Sequence, residues 1–474
     1  MTSQKRGPGL APVVRRRYNQ KLTIEPRPRM QKQSSALLVP LLVVAMACQN
    51  SGDQTLARNP SHLDALYAPY TVLRGDLHMH SSTASFDSSA CGPECQTFTA
   101  AEQFAAAREV GLDFAALTEH DRNPNQPGSR MTETQWSAAL EAVASASSPE
   151  FLALAGYEWT SSQLSCFETH PQHPDFNHKV VILPPGASKR CDSDVCVTPD
   201  QLGEFVHSAG GVILTPHPWR VSLLESGRAD LPAFVTRSYF DYAADGPGGV
   251  FVGAEVSPDF QPLRWKVLCA YPDEDFNSQT GTLAEWRQAL VRGKRLAAVA
   301  TSDRHFGFTP FGSRSTVLFA SAKTPEAILE ALKARRAMAA NLEPFAVRLA
   351  IGGAIIGETA KADSEGMLRV SAPQEQIAAI EVWRGDRLLQ TFPPNAVNQD
   401  LVFAPDGVPC CEPDSEPGPA SGAAPVPGAA SSASISQPAS PRSAGPVWVK
   451  VTGVETDPAT GTPRTTITSP IWLE

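Results

Sequence analysis

A chain of 474 residues, 42% hydrophobic and 19% charged, can bury a large core and calls for about two to three domains. Nine of its 40 basic residues and one of its 49 acidic ones precede Cys48, so a chain beginning there carries 31 against 48, a net charge of −17. Such a surface repels polyphosphate backbones and excludes general nucleic-acid binding.

Behind the basic amino terminus comes ALLVPLLVVAMAC, an apolar run of about a dozen residues, interrupted by Pro40 and ending in small residues before Cys48. It is too short to span a bilayer and has the make-up of a secretory h-region, so residues 1–47 are expected to be a signal peptide. Met30 opens a stretch that has signal-peptide proportions by itself. Ala45-Met46-Ala47-Cys48 resembles a bacterial lipoprotein cleavage box, which implies acylation of Cys48 and a membrane anchor; Gln49 rather than aspartate after it favours the outer membrane in Gram-negative bacteria. An ordinary cleaved signal is the alternative. Eight further cysteines, at 91, 95, 166, 191, 196, 269, 410 and 411, are an even number suited to an oxidising compartment. Disulfides are expected, with CGPEC and CDSDVC spaced for local staples and the pairing left open; a thiolate zinc site is the alternative.

Residues 48–68 read as a polar tether. From 69 to 342, short apolar runs alternate with helical stretches: TVLRGDLHMH, LDFAALTEH, FLALAGYEW, HKVVILP, GGVILTPH, GVFVGAEV and RLAAVATSD. Thr99 with Glu102 and Thr282 with Glu285 have capping-box spacing, and Thr198-Pro199 and Thr324-Pro325 pair a cap with proline at the first helical position. The alternation predicts parallel strands, and about seven units suit a closed or distorted α/β barrel, with no glycine-rich phosphate loop after any strand. From about residue 341 the period becomes two, in FAVRLAIGG, IAAIEVWRGD, VWVKVTGVE and TTITSPIWLE, predicting a small antiparallel β domain over 343–474, a sandwich packed on the barrel. Within it, residues 412–446 are rich in Pro, Ala, Ser and Gly and are expected to be a disordered insertion.

Six of the ten histidines, His78, His80, His120, His178, His217 and His305, fall at or beside predicted strand ends, where barrel enzymes gather their chemistry. His78 and His80, two apart on a strand, project from one face. Acids accompany them: Asp76 and Asp87, Glu119 and Asp121, Glu158, Glu255 and Asp303. Imidazole mixed with carboxylate and without thiolate suits Zn, Mn or Fe with open coordination positions.

The ordered set DLHMH, LTEHD, GYEW, NHKV, TPHP and SDRH resembles the PHP superfamily, named for its polymerase and histidinol phosphatase members, and within it an exported branch marked by GDLHxH, GYEWTS and a terminal SPIW. The resemblance covers about residues 70–342 and reaches the SPIWLE end. It implies a distorted (β/α)7 barrel holding two or three divalent metal ions at the carboxyl ends of its strands. His78, His80, Asp87, His120, Glu158, His178, His217, Asp303 and His305 are the implied metal ligands. Glu158 would bridge metals and, with Asp303 and His217, serve catalysis. Asp76 is expected to orient a histidine from outside the ligand shell, as metal-bound imidazoles usually require; Glu255 is open between that shell and a rim ion pair. Glu119 stands where the family pattern places aspartate.

Clustered cations acidify bound water and stabilise attacking and leaving oxygens, which makes hydrolysis the expected chemistry without a serine or cysteine nucleophile. Lys179, Arg220 and Arg304 adjoin ligand motifs and are the candidates to hold phosphate oxygens of a small phosphoester. The same site turned on a carboxylic ester or carbamate is the first alternative, and a metal-binding envelope lipoprotein without turnover the second.

Overall fold

The computed structural model describes residues 61–81, 98–122, 130–160, 178–187, 190–192, 195–217, 249–256, 282–304, 311–405, 445–457 and 462–474. Cys48, Asp87, Arg220 and His305, the cysteines at 91, 95, 166, 269, 410 and 411, and residues 412–444 of the low-complexity stretch lie outside them.

The end of the expected tether forms a helix, α1 (Ser61–Tyr67), because Leu63, Leu66 and Tyr67 recur at helical spacing and bury against the carboxyl-terminal strands. The Tyr67 hydroxyl donates to the Leu349 carbonyl at 2.8 Å. Reciprocal capping boxes start the next three helices: Thr99 with Glu102 for α2 (Ala100–Glu109), Thr132 with Gln135 for α3 (Glu133–Ala146), and Thr198 with Gln201 for α4 (Pro199–Ala209). In α5 (Thr282–Val291) Thr282 is the first helical residue, whereas Thr324 caps α6 (Pro325–Lys333) by accepting from the Ala327 amide. Among the described residues no helix is long and apolar enough to cross a membrane.

The seven apolar runs become β1 (Thr71–Met79), β2 (Phe114–Leu117), β3 (Leu152–Thr160), β4 (His178–Ile182), β5 (Val212–Thr215), β6 (Phe251–Glu255) and β7 (Ala297–Val299). After them come β8 (Arg314–Ala320), β9 (Ala337–Asn341), β10 (Ala346–Ile351), β11 (Ala354–Ile355), β12 (Thr359–Ala360), β13 (Gly366–Ser371), β14 (Ile377–Arg384), β15 (Arg387–Phe392), β16 (Leu401–Phe403), β17 (Val447–Thr456), β18 (Pro463–Thr468) and β19 (Trp472–Leu473). The result is a mixed α/β fold around one 13-stranded sheet in the order β15-β14-β17-β18-β9-β8-β1-β2-β3-β4-β5-β6-β7. β1–β2, β2–β3, β5–β6 and β6–β7 are parallel. The expectation of uniformly parallel strands fails at β4, which runs antiparallel to both β3 and β5, with Thr160 opposite His178. Reversal brings the amino end of β4 to the carboxyl ends of its neighbours. Beyond β7 the chain returns to β1: Met79 and Arg304 form a parallel bridge, and the His80 amide donates to the Arg304 carbonyl at 2.9 Å.

Alternation along these strands builds two cores. Leu77, Phe114, Leu154, Val180, Leu214 and Val299 face Ile328 and Leu332 of α6, on what we call the inner face. Ala115, Tyr157, Trp159, Val181 and Ile213 face the opposite way, against Phe104, Trp136, Val206 and Trp286 of the other helices. Each fully buried large apolar side chain contributes about 1.5–3 kcal/mol, so the layering is strongly set by the sequence pattern. Gly156 lets β3 and β4 approach: a Cβ there would lie 2.4 Å from the Val181 carbonyl oxygen. In the carboxyl-terminal part, β14, β15, β17 and β18 continue the large sheet through the β18–β9 pair, while β11-β10-β13-β16 form a second sheet and share a core with them through Leu349, Leu368, Ile380 and Val449. β12 pairs with β19.

Candidate metal centre

A one-residue bulge in β1, between Asp76 and Met79, shifts the alternation after the inward Leu77, and His78 and His80 then lie side by side with their Nε2 atoms 3.1 Å apart. His120 follows β2 and bridges to Glu158 near the end of β3. His178 enters from the start of the reversed β4, and His217 and Asp303 follow β5 and β7. Both of these last two have positive φ, 28° and 46°. Such backbone costs on the order of 1–3 kcal/mol for a non-glycine residue and concentrates at working sites.

Glu158 is the hub. Its Oε2 lies 3.0 Å from His120 Nδ1 and 3.3 Å from Nε2 of both His78 and His80; its Oε1 lies 2.6 Å from His178 Nδ1 and 3.3 Å from His217 Nε2. Asp303 Oδ1 is 3.4 Å from His78 Nε2 and 3.3 Å from His80 Nε2. Two donor groups result, His78–His80–Glu158–Asp303 and His120–Glu158–His178, each with its ligand atoms within 4.8 Å of one another and with Glu158 in both. Among the described residues, Glu158 Oε2 and His178 Nε2 are buried and have no partner with hydrogen-bond geometry. Convergent buried imidazole nitrogens and carboxylate oxygens suit a cation, so these residues could hold metal ions.

The electrostatics belong to that crowding. Burial would raise the Glu158 carboxyl, but His120, His178 and His78 outweigh it and hold the group well below the usual carboxylate range. Burial would depress His78, yet Asp303 and Glu158 hold it well above an ordinary imidazole. In His178 burial wins over Glu158 and pushes the imidazole down to about 3. Burial raises Asp76 to about 6, against the hydrogen bonds it accepts near Ser302 and His78.

A second set of side chains holds these in place. Glu255 Oε1 accepts from His78 Nδ1 at 2.8 Å and from the Thr301 hydroxyl at 2.5 Å, and its Oε2 accepts from the His217 amide at 2.7 Å. Carboxylate pairing at Nδ1 leaves Nε2 as the His78 atom aimed at Glu158 and Asp303, open to a cation once its proton is displaced. Thr160 Oγ1 donates to the Glu158 carbonyl and lies 2.9 Å from His120 Nδ1. Asp76 Oδ1 accepts from the amides of His78 and Ser302 at 3.1 and 3.2 Å, so it fixes backbone, and the carboxylate that orients the His78 ring is Glu255. Glu119 accepts from the Ser81 amide and hydroxyl, tying the end of the HMH segment to β2, and Asp121 Oδ1 accepts from the Thr160 amide at 2.7 Å.

Of the three basic residues expected near phosphate, Arg220 lies outside the described residues and the other two face elsewhere. Lys179 is fully buried opposite Trp159, on the outer face, and its ammonium donates to the His178 carbonyl at 3.1 Å. Arg304 bridges to the outward Met79, and its guanidinium lies 4.4 Å from the Phe311 ring centroid and 5.2 Å from that of Phe98. Lys179 points outward beside the inward His178, as strand alternation dictates, whereas Arg304 follows Asp303 beyond the end of β7. Cys191 and Cys196 form a disulfide, the local staple that CDSDVC allowed.

No family model and no curated protein matches this chain. A solved two-domain protein from Bacteroides vulgatus ATCC 8482, containing a predicted PHP-like metal-dependent phosphoesterase, is similar over 70% of this chain and 86% of its own, with 16% identity and a TM-score of 0.36. A likeness that shallow leaves the geometry of the centre to carry the reading.

Proposed function

We propose that this chain is an exported, membrane-anchored metal-dependent hydrolase acting on a small phosphoester. The observation that carries it is Glu158, buried and shared by two imidazole-rich donor groups. A bridging carboxylate between two such groups is the donor pattern of a two-metal hydrolytic site. We read the curled run β1 to β7 as the distorted (β/α)7 barrel that the PHP resemblance implies. His78, His80 and Asp303 would hold one ion with Glu158, and His120 and His178 another, with His217 beside Glu158 Oε1 and Asp87 and His305 added from outside the described residues. Two or three Zn, Mn or Fe ions would supply acidified water and positive charge at the reacting centre. The protein's own part is orientation: Glu255 and Thr160 set imidazole rings, and the positive-φ backbone at His217 and Asp303 aims side chains that follow strands. Acylation of Cys48, with residues 1–47 removed, would place the enzyme in the periplasm on the outer membrane.

The outward setting of Lys179 and Arg304 favours a second reading, cleavage of a carboxylic ester or carbamate, which needs no cationic clamp. Metal content of the full chain, measured beside turnover of p-nitrophenyl phosphate and a p-nitrophenyl carboxylic ester, decides. Bound divalent metal with phosphate release supports the proposal; ester turnover alone transfers it to the second reading. Metal without turnover of either leaves a binding protein, and a chain that stays metal-free after loading with Zn or Mn overturns the centre itself.

A further inference from the structure

The two residues flanking Glu158 point to the outer face, and both grip one loop. The Tyr157 hydroxyl donates to the Cys191 carbonyl and accepts from the Cys191 amide, each at 3.2 Å, and Trp159 Nε1 donates to the Cys196 carbonyl at 2.9 Å. Cys191 and Cys196 are joined by their disulfide, and Thr198, two residues on, caps α4. Tyr157 and Trp159 are fully buried, and Tyr157 is further held edge-on by Trp136, with ring centroids 6.0 Å apart. We infer that the Cys191–Cys196 disulfide, through Tyr157 and Trp159, positions the Glu158 carboxylate, so that metal retention depends on this one covalent link.

The inference rests on the metal-centre reading. Tyr157 and Trp159 are buried hydrogen-bonding groups whose partners are the backbone atoms of the two cysteines. A loop without its covalent closure leaves those partners free to move, and a buried indole N–H or phenol that loses its acceptor must turn to find another. Because both side chains are fully buried, either can turn only by repacking its surroundings, which would shift β3 beside the one residue between them. That residue is Glu158, common to both donor groups, so both would loosen together. Sulfur chemistry on the outer face of β3 thereby acts on carboxylate geometry on its inner face.

The test titrates Co²⁺ into the metal-free full chain and follows its visible ligand-field absorption in three proteins: wild type, C191S/C196S and Trp159→Phe. The double variant should bind Co²⁺ about tenfold more weakly or worse, in the range of other outer-sphere losses, with shifted absorption bands. Trp159→Phe keeps the ring and removes only the N–H, and should move affinity and bands in the same direction. Far-UV circular dichroism of the metal-free proteins shows whether each is folded. A folded double variant with wild-type affinity and bands overturns the inference. If the double variant does not fold, wild-type affinity and bands in Trp159→Phe overturn it instead. If wild type takes up no Co²⁺ at all, the metal reading falls and this inference falls with it.

Discussion

Glu255→Gln is the substitution whose outcome the structure fixes most tightly. Glu255 receives three donors: His78 Nδ1 and the Thr301 hydroxyl on Oε1, and the His217 amide on Oε2. Glutamine has one acceptor oxygen. Placed toward His78 and Thr301, it turns its NH₂ onto the His217 N–H; placed toward His217, it turns the NH₂ onto the other two. Either way at least one buried donor meets a donor, at a cost of about 1–3 kcal/mol, and the negative charge that pairs with His78 Nδ1–H is gone. Since about 1.4 kcal/mol is a factor of ten, Zn²⁺ affinity should fall about 10–100-fold, which matches the usual cost of losing an outer-sphere carboxylate. Competition against a chromogenic zinc chelator at neutral pH measures it directly. Thr301→Val, which removes one donor and leaves the carboxylate, should cost less. An affinity within about twofold of wild type in folded Glu255→Gln would refute the assignment of Glu255 as the group that orients His78.

Glu158→Gln removes the charge common to both donor groups and should abolish turnover while reducing bound metal at both, as read by elemental analysis and p-nitrophenyl phosphate hydrolysis; loss of a single ion with activity retained would count against a shared carboxylate. His78 is held above the ordinary imidazole value in the metal-free protein, so near neutrality a cation must displace its proton. Metal affinity should therefore fall as pH falls, by about tenfold per unit for each proton displaced, and level off above the raised His78 value; calorimetry in two buffers of different protonation enthalpy would show no proton release if this sign is wrong. Tyr67→Phe strands the Leu349 carbonyl and amide that the hydroxyl serves at 2.8 and 3.3 Å, and should lower unfolding free energy by about 1–3 kcal/mol in urea while leaving metal uptake unchanged.

All seven strands of the first half were legible because each is a short apolar run ended by polar or charged residues, and three of the four expected helix starts carry the threonine caps read from sequence. Direction was not legible. HKVVILP has the same composition whichever way it runs, and only the pairing of Thr160 with His178 shows that β4 is reversed. His78 and His80 were expected on one face and are there, but their inward aim depends on the bulge after Asp76, which no local pattern announces. The same alternation, applied to the residues beside the expected ligands, would have turned Lys179 away from the site, since a residue adjacent to an inward histidine on a regular strand faces outward. Glu255 was visible as an acid at a strand end; its task depends on which ring it meets across β1, β5 and β7, and that is a tertiary fact.

The outward lysine and arginine do not remove the electrostatic case for a phosphoester. Two divalent cations in the proposed centre would bring four positive charges, of which Glu158 and Asp303 would neutralise two and Glu255, paired with His78 Nδ1, part of a third, while the imidazoles that complete the two donor groups neutralise none when they bind as neutral ligands. Asp87 would take one more. A histidine-rich centre thus keeps residual positive charge where a carboxylate-rich one would not, and it can receive an anionic oxygen without an arginine clamp. A neutral ester leaves that charge unmet in the bound state and draws on it only as its carbonyl oxygen becomes negative. The donor set therefore predicts competitive inhibition by inorganic phosphate whichever bond the proposed hydrolase cleaves, and tighter ground-state binding of a phosphomonoester than of a carboxylic ester of the same alcohol. Weaker binding of the phosphomonoester in metal-loaded protein would mean that the surrounding carboxylates, Glu255 among them, have already cancelled the charge of the centre.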